Sequence, residues 1–169
     1  NGTQDIFYED PDVMFISWHE SPAYPGTGHI DELGAEGAEG TTLNLPLPPG
    51  ATGDVYLESI QSLIGGALER FDPTWLLISA GFDAHVRDPL CGLGLRAGDF
   101  ARIISTLADA VPPGRRIAFL EGGYDLEALS DSVAASVGAL VGVDVDTEPT
   151  TSGGPGREVV DALAGRLDG

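Results

Sequence analysis

Three short apolar runs each lead straight into a glycine-marked loop, and this pattern restricts the chain to a parallel α/β arrangement. The first is Val13-Met14-Phe15-Ile16-Ser17-Trp18, ahead of Tyr24-Pro25-Gly26-Thr27-Gly28. Trp75-Leu76-Leu77-Ile78-Ser79 precedes Ala80-Gly81-Phe82-Asp83-Ala84-His85, and Ile117-Ala118-Phe119-Leu120 precedes Glu121-Gly122-Gly123-Tyr124. Short continuous apolar runs bounded by turn residues read as buried strands. In a parallel sheet such loops gather at the carboxyl ends of the strands, where open α/β folds build their sites.

Amphipathic helices fill the intervals. Thr3 is expected to cap a short helix through Tyr8. From Asp54, the positions Tyr56, Ile60, Leu63, Ile64, Ala67, Leu68 and Phe71 keep helical spacing until Asp72-Pro73. Asp99 is expected to cap a second such helix, with Phe100, Ile103, Ile104, Leu107 and Val111 on one face and a stop at Pro112-Pro113-Gly114. A third carries Leu126, Leu129, Val133, Val137, Leu140 and Val141 at spacings of three and four. Thr41 to Leu45 offers a further strand, closed by Pro46-Leu47-Pro48-Pro49-Gly50, which an inner strand does not tolerate. Strands alternating with helices imply a mostly parallel sheet covered by helices on both faces. Residues 1–142 form that body, 143–156 read as a linker rich in Asp, Thr, Gly and Pro, and 157–169 as a short terminal helix carrying Val159, Val160, Leu163 and Leu167.

With 169 residues, 42% of them apolar, the chain is long enough for a real core. Its formal charge is −19, from 27 acidic and 8 basic residues, all of the latter Arg. Such a surface repels phosphate backbones, which argues against direct nucleic-acid binding. It serves either as a solubilising coat or as a rim that attracts cationic substrates. One cysteine, Cys91, allows no internal disulfide, and neither a signal peptide nor an apolar run of membrane-spanning length is present. A soluble, cytoplasmic protein is expected. The glycines match neither a P-loop nor a dinucleotide fingerprint, and no serine nucleophile elbow occurs.

Two residues stand out chemically. Asp83 follows Gly81 at the end of a buried strand, where a carboxylate needs a cation or donors beside it; by itself it reads equally as a cap of the next turn. Tyr124 follows two glycines that let the backbone turn sharply, and its phenol serves either as a donor to an oxyanion or as a satisfied core tyrosine. Asp83-x-His85 is a plausible ligand spacing, imidazole being the commonest metal ligand, and His19 invites the same reading.

The Ala80-to-His85 segment, Glu121-Gly122-Gly123-Tyr124 and Tyr24-Pro25-Gly26-Thr27-Gly28 together resemble the histone deacetylase family, especially its class II and bacterial amidohydrolase-like members. The resemblance runs from Asn1 to about Gly142, and it implies an arginase/deacetylase-like three-layer fold, incomplete at the N-terminus. Asn1 to Tyr8 looks like the stretch after that family's Asp-x-His-His-Gly metal motif, so two of three metal ligands and the catalytic histidine pair are expected outside this chain.

What the resemblance implies is zinc-dependent removal of acyl groups from lysine side chains, with Asp83 as a Zn2+ ligand, Tyr124 assisting polarisation of the acyl carbonyl, and His19 and His85 packing or hydrogen-bonding behind the site rather than touching substrate or metal. Tyr24, Leu90 and Gly123 would line the substrate channel. Leucine at position 90, where a carboxylate would select polyamines, favours an acylated lysine peptide over a small acylated amine. A K+ site would use Ser17 and the main chain at Trp18, and a second would use carbonyls of Phe7, Asp10 and Val13. An acetylpolyamine or acetoin-type amidohydrolase is the alternative enzyme, and a non-catalytic binding module the alternative of another class. No partner beyond the substrate and the missing N-terminal half is implied, and the isolated chain is expected to be inactive with apolar surface uncovered.

Overall fold

Parallel strand pairs carry both halves of the structure, a computed structural model that describes residues 1–167 in two units. One unit is Asn1–Pro48 with the segment from Gly156, and the other is Pro49–Pro155.

In the first unit, helix α1 (Gly2–Phe7) precedes strand β1 (Phe15–Glu20), which pairs in parallel with β2 (Thr42–Leu47). Thr3 lies inside α1 and Asn1 holds the N-cap position, so the expected cap is displaced by two residues. Gln4 fastens α1 to the sheet by accepting from Asn44 Nδ2 at 2.8 Å, both side chains being buried. Residues 21–41 connect the two parallel strands through turns, with Gly26, Gly28, Gly34, Gly37 and Gly40 at positive φ.

Strand β2 continues through Pro46, which the sequence placed beyond its end. The reason lies in the ladder. Thr41 and Leu47 carbonyls accept from Phe15 and Ser21 N–H at 2.7 and 2.8 Å, so odd-numbered residues of β2 face β1. Pro46 therefore turns its nitrogen away from the partner strand and no ladder bond is lost. Leu43, Leu45 and Leu47 are fully buried, and helix α6 (Arg157–Leu167) lies against β2 with Val160 and Leu163 buried. The expected terminal helix thus docks; its last two expected residues, 168 and 169, lie outside the described residues.

The second unit opens with α2 (Gly53–Ser59), a π-helical turn at Ile60–Ile64 and α3 (Gly65–Phe71), where the sequence pattern gave one uninterrupted helix. Val55, Tyr56, Ile60, Ile64 and Ala67 form its buried face, and Asp72 ends it in the left-handed region at φ 53°. Strands β3 (Leu76–Ala80) and β4 (Arg116–Leu120) pair in parallel, separated by α4 (Ala97–Ala108) and followed by α5 (Leu126–Val141). Arg116 on β4 donates to the carbonyls of Ala108 and Val111 at 2.6 and 3.1 Å, closing the C-terminal end of α4 with a cation.

Helix α5 begins and ends where the sequence says, with Asp125 accepting from Ala128 N–H at 2.8 Å and Gly142 in the left-handed region at φ 72°. Its burial is the reverse of the pattern. Ala128, Ser132, Ala135 and Ser136 are buried where α5 lies against α4, whereas Leu126 is 80% and Val141 65% exposed. Small residues let two helices approach closely, and that contact wins over the larger apolar stripe. Leu77 on β3 and Ile117, Phe119 and Leu120 on β4 are exposed as well, so apolar side chains of this strand pair meet solvent.

Residues 143–155, within the stretch expected as a linker, belong to the second unit and are tied down without helix or strand. Thr151 N–H and Oγ1 both donate to Asp99, at 2.8 Å each, and Gly53 N–H donates to Thr151 Oγ1 at 2.9 Å. Gly153 and Gly154 N–H donate to Asp54 and Thr52 at 3.0 and 2.8 Å.

Candidate active site

The register of β3 and β4 ends with Ala80 beside Leu120, so the loops that follow start side by side. Glu121 N–H donates to Ala80 O at 3.0 Å, and Phe82 N–H to Gly122 O at 2.8 Å. The ring of buried Phe82 meets Phe100 of α4 edge-on, 5.1 Å between centroids, which anchors the first loop in the core.

Asp83 sits across these strand ends. A β-carbon on Gly122 would come 2.9 Å from Asp83 Cγ and 2.8 Å from Oδ1, and one on Gly81 would also come 2.8 Å from Oδ1. Both glycines are therefore needed for the carboxylate to lie where it does. Gly123, at φ 135°, packs against Phe82 and Leu129, and the chain then delivers Tyr124 with its side chain 58% exposed. Asp83, Leu90, Gly123 and Tyr124 are thus gathered on neighbouring loops of one unit. Asp88, which sequence reading did not single out, joins them: Oδ1 accepts from Leu90 N–H at 2.9 Å and Oδ2 from Tyr124 N–H at 2.8 Å. The Asp88-Pro89 pair was the available signal, since Asp before Pro opens turns of this kind. Arg87 faces the carboxylates of Asp125, Glu127 and Asp131 at 3.9, 3.5 and 3.6 Å, further joining the two loops.

His85 is fully buried and does not face the Asp83 carboxylate as a co-ligand. Its Nδ1 accepts from Arg87 N–H at 3.1 Å, which places the proton on Nε2, and Nε2 donates to Glu148 Oε2 at 2.8 Å. Burial pushes the Glu148 carboxyl up, but the bonds from His85 and Ala97 N–H, with the nearby charge of Arg87, outweigh it and leave it below the usual range. Nothing in the sequence marks Glu148 for this contact.

The remaining predicted residues belong to the first unit. Ser17 Oγ donates to His19 Nδ1 at 3.0 Å, and His19 Nε2 donates to Gly28 O at 3.0 Å. Burial lowers the His19 pKa, against the opposing pull of the Gly28 carbonyl, in keeping with the neutral ring that this chain of bonds requires. Trp18 pairs with Leu45 in the β1–β2 ladder. The Phe7 and Asp10 carbonyls accept from Asp10 and Val13 N–H at 3.1 and 3.3 Å, forming two successive turns. Tyr24 is 99% exposed. A groove of about 570 Å³ in this unit, lined by Gln4, Tyr8, Thr27 and Glu32 among others, includes none of the predicted site residues.

Asp83 fits a metal as one ligand, not as a centre. Among the described residues no three His, Cys, Asp or Glu side chains are grouped to hold a metal ion, whereas a catalytic zinc takes about three protein ligands.

The histone deacetylase domain matches residues 1–140. The chain belongs to the histone deacetylase family. Histone deacetylase 14, chloroplastic, of Arabidopsis thaliana is 49% identical over 148 residues, covering 85% of this chain and 35% of that protein. A probable deacetylase of Archaeoglobus fulgidus is 41% identical over 149 residues, covering 86% of this chain and 42% of that protein. The crystal structure of the HDA15 HD domain superposes with a TM-score of 0.85 at 32% identity, covering 98% of this chain and 46% of that one. The fold is therefore the arginase/deacetylase-like α/β fold, and the chain spans less than half the length of these relatives. Among the described residues no helix is long and apolar enough to cross a membrane.

Proposed function

We propose that this chain is part of a zinc-dependent deacetylase that hydrolyses the amide of acylated lysine side chains, Asp83 supplying one metal ligand and Tyr124 the phenol that donates to the carbonyl oxygen. The observation that carries this is the contact of the Asp83 carboxylate with Gly122, two residues before Tyr124, at the aligned ends of β3 and β4. A phenol there has an O–H to donate and stabilises negative charge as it gathers on the oxygen of the attacked amide. The other metal ligands and the acid-base pair are contributed from outside these residues.

Leu90 is exposed on the loop beside Tyr124 and offers an apolar contact to a methylene stem, which favours acyl-lysine over acylated polyamines. The charge of −19 suits a cationic peptide and disfavours direct contact with nucleic acid or an anionic membrane surface. K+ sites at Ser17 and Trp18 and at the Phe7, Asp10 and Val13 carbonyls, and a cytoplasmic location, complete the proposal.

The test is hydrolysis of acetyl-lysine peptides and acetylated polyamines by the protein with its whole deacetylase domain, alongside measurement of bound zinc. Faster turnover of the peptide, with zinc lost in Asp83→Ala, is the expected result. Turnover confined to the polyamine transfers the substrate to the other amidohydrolase class. Absence of both zinc and turnover leaves a binding module.

A further inference from the structure

We infer that Asp88 is a positioning residue that sets the working orientation of Tyr124 and ties it to the loop bearing Leu90. Its two carboxylate oxygens serve different loops: Oδ1 takes Leu90 N–H at 2.9 Å, two residues on, and Oδ2 takes Tyr124 N–H at 2.8 Å, thirty-six residues on. A carboxylate accepting two backbone N–H groups makes charge-assisted bonds, stronger than those between neutral groups.

Tyr124 needs such a hold. Its side chain is largely exposed, so the direction of the phenol follows from the backbone more than from packing. On its N-terminal side, Gly123 at φ 135° carries no side chain that could fasten Tyr124 in place. On its C-terminal side, Asp125 is already committed to capping α5 through Ala128 N–H. The Asp88 bond is what closes the gap between those two constraints. Arg87, next to Asp88, faces Asp125, Glu127 and Asp131 and so joins the same loop to the start of α5. One carboxylate therefore couples the residue proposed to polarise the acyl group with the residue proposed to touch the substrate stem. A misplacement of a catalytic group by about 1 Å can cost ~100-fold in rate.

This deepens the proposed deacetylase function and rests on the assignment of Tyr124 as the oxyanion donor. The decisive experiment is a double-mutant cycle in the protein carrying its whole deacetylase domain, using an acetyl-lysine peptide, with Asp88→Ala, Tyr124→Phe and the pair. Expected is a fall in kcat of ~10-fold or more for Asp88→Ala, and the disappearance of that effect in the Tyr124→Phe background. Amide hydrogen exchange at Tyr124 is expected to quicken at least ~10-fold in Asp88→Ala. Asp88→Asn, which keeps the shape and one acceptor oxygen, is expected to show the same pattern at smaller amplitude, and it replaces the alanine variant if that one does not fold. Equal losses of kcat in both backgrounds, or unchanged exchange at Tyr124, overturn the role of Asp88. An inactive wild type removes the deacetylase function instead, and the exchange measurement still decides whether Asp88 fixes Tyr124.

Discussion

Gly53, the first residue of α2, lies so close to the buried carboxylate of Asp99 that a β-carbon at position 53 would overlap Asp99 Oδ1 and Cγ. The same carboxylate accepts from Arg96 N–H at 2.8 Å and from Thr151 twice, while Gly53 N–H donates to Thr151. Three segments of the second unit, at Gly53, at Arg96 to Asp99 and at Thr151, thus converge on one acid that the sequence pattern placed as an N-cap. It is instead the third residue of α4, bonding back to the N-cap N–H from inside the helix. Gly53→Ala is expected to destabilise this unit by about 1–3 kcal/mol, because the Asp99 side chain that the added methyl would meet is buried and cannot move without giving up its bonds to Arg96 and Thr151. A lower urea midpoint at unchanged slope is the measurement.

Burial raises the Asp99 pKa, against the opposing bonds from Thr151 and Arg96. The folded protein then holds this proton more tightly than the unfolded chain, so the contribution to stability falls as pH rises from the ordinary aspartate value through the raised one. Asp99→Asn cannot ionise. Its stability relative to wild type is expected to improve steadily across that window, read from denaturation midpoints at several pH values; a flat difference would remove Asp99 as the source.

Glu148 has the opposite sign. Its folded pKa is depressed, so its contribution is complete above the ordinary glutamate value and is lost as pH falls through the folded one. Glu148→Gln is expected to delete this acid-side loss and to lower stability at neutral pH, where His85 loses its charged acceptor. The comparison needs only melting curves taken from neutral to acid pH.

What was legible in the sequence is what local chemistry determines. Helix α5 runs from Leu126 to Val141 as its apolar spacing marked, and β3 lies one residue from its expected place because an apolar run between turn residues has few alternatives. The face that α5 buries was not legible, because it is set by packing against the rest of the unit, and the buried positions carry small residues such as Ala128 and Ala135 that no apolar stripe marks. The π-turn at Ile60–Ile64 leaves the apolar spacing nearly intact and so gives no signal. At the site, Asp83 and Tyr124 were marked by the glycines around them. Asp88 was marked only by the proline after it, which signals a turn and not the bond to Tyr124, and Glu148 by nothing, since its bonds to His85 and Ala97 come from segments distant in the sequence.

Tyr124→Phe keeps the ring and removes the donor. In the protein with its whole deacetylase domain it is expected to lower kcat by about 10²–10³ with little change in KM, since a bond made mainly in the transition state does not weaken ground-state binding. Steady-state kinetics on an acetyl-lysine peptide provide the check, and a change confined to KM would place the phenol in substrate binding.

Gly122→Ala tests Asp83 without touching it. The added methyl would stand 2.9 Å from Asp83 Cγ and 2.8 Å from Oδ1, so the carboxylate must shift from its place. If Asp83 ligates the metal, zinc affinity of the whole domain is expected to fall at least ~10-fold, because ligand geometry sets much of the binding energy. Gly66→Ala is the control: its β-carbon would make only an ordinary contact with Arg70, and alanine within α3 is expected to stabilise by about 0.5–1 kcal/mol. Zinc affinity unchanged in Gly122→Ala, in a protein that folds as well as the control, would take Asp83 out of the metal site.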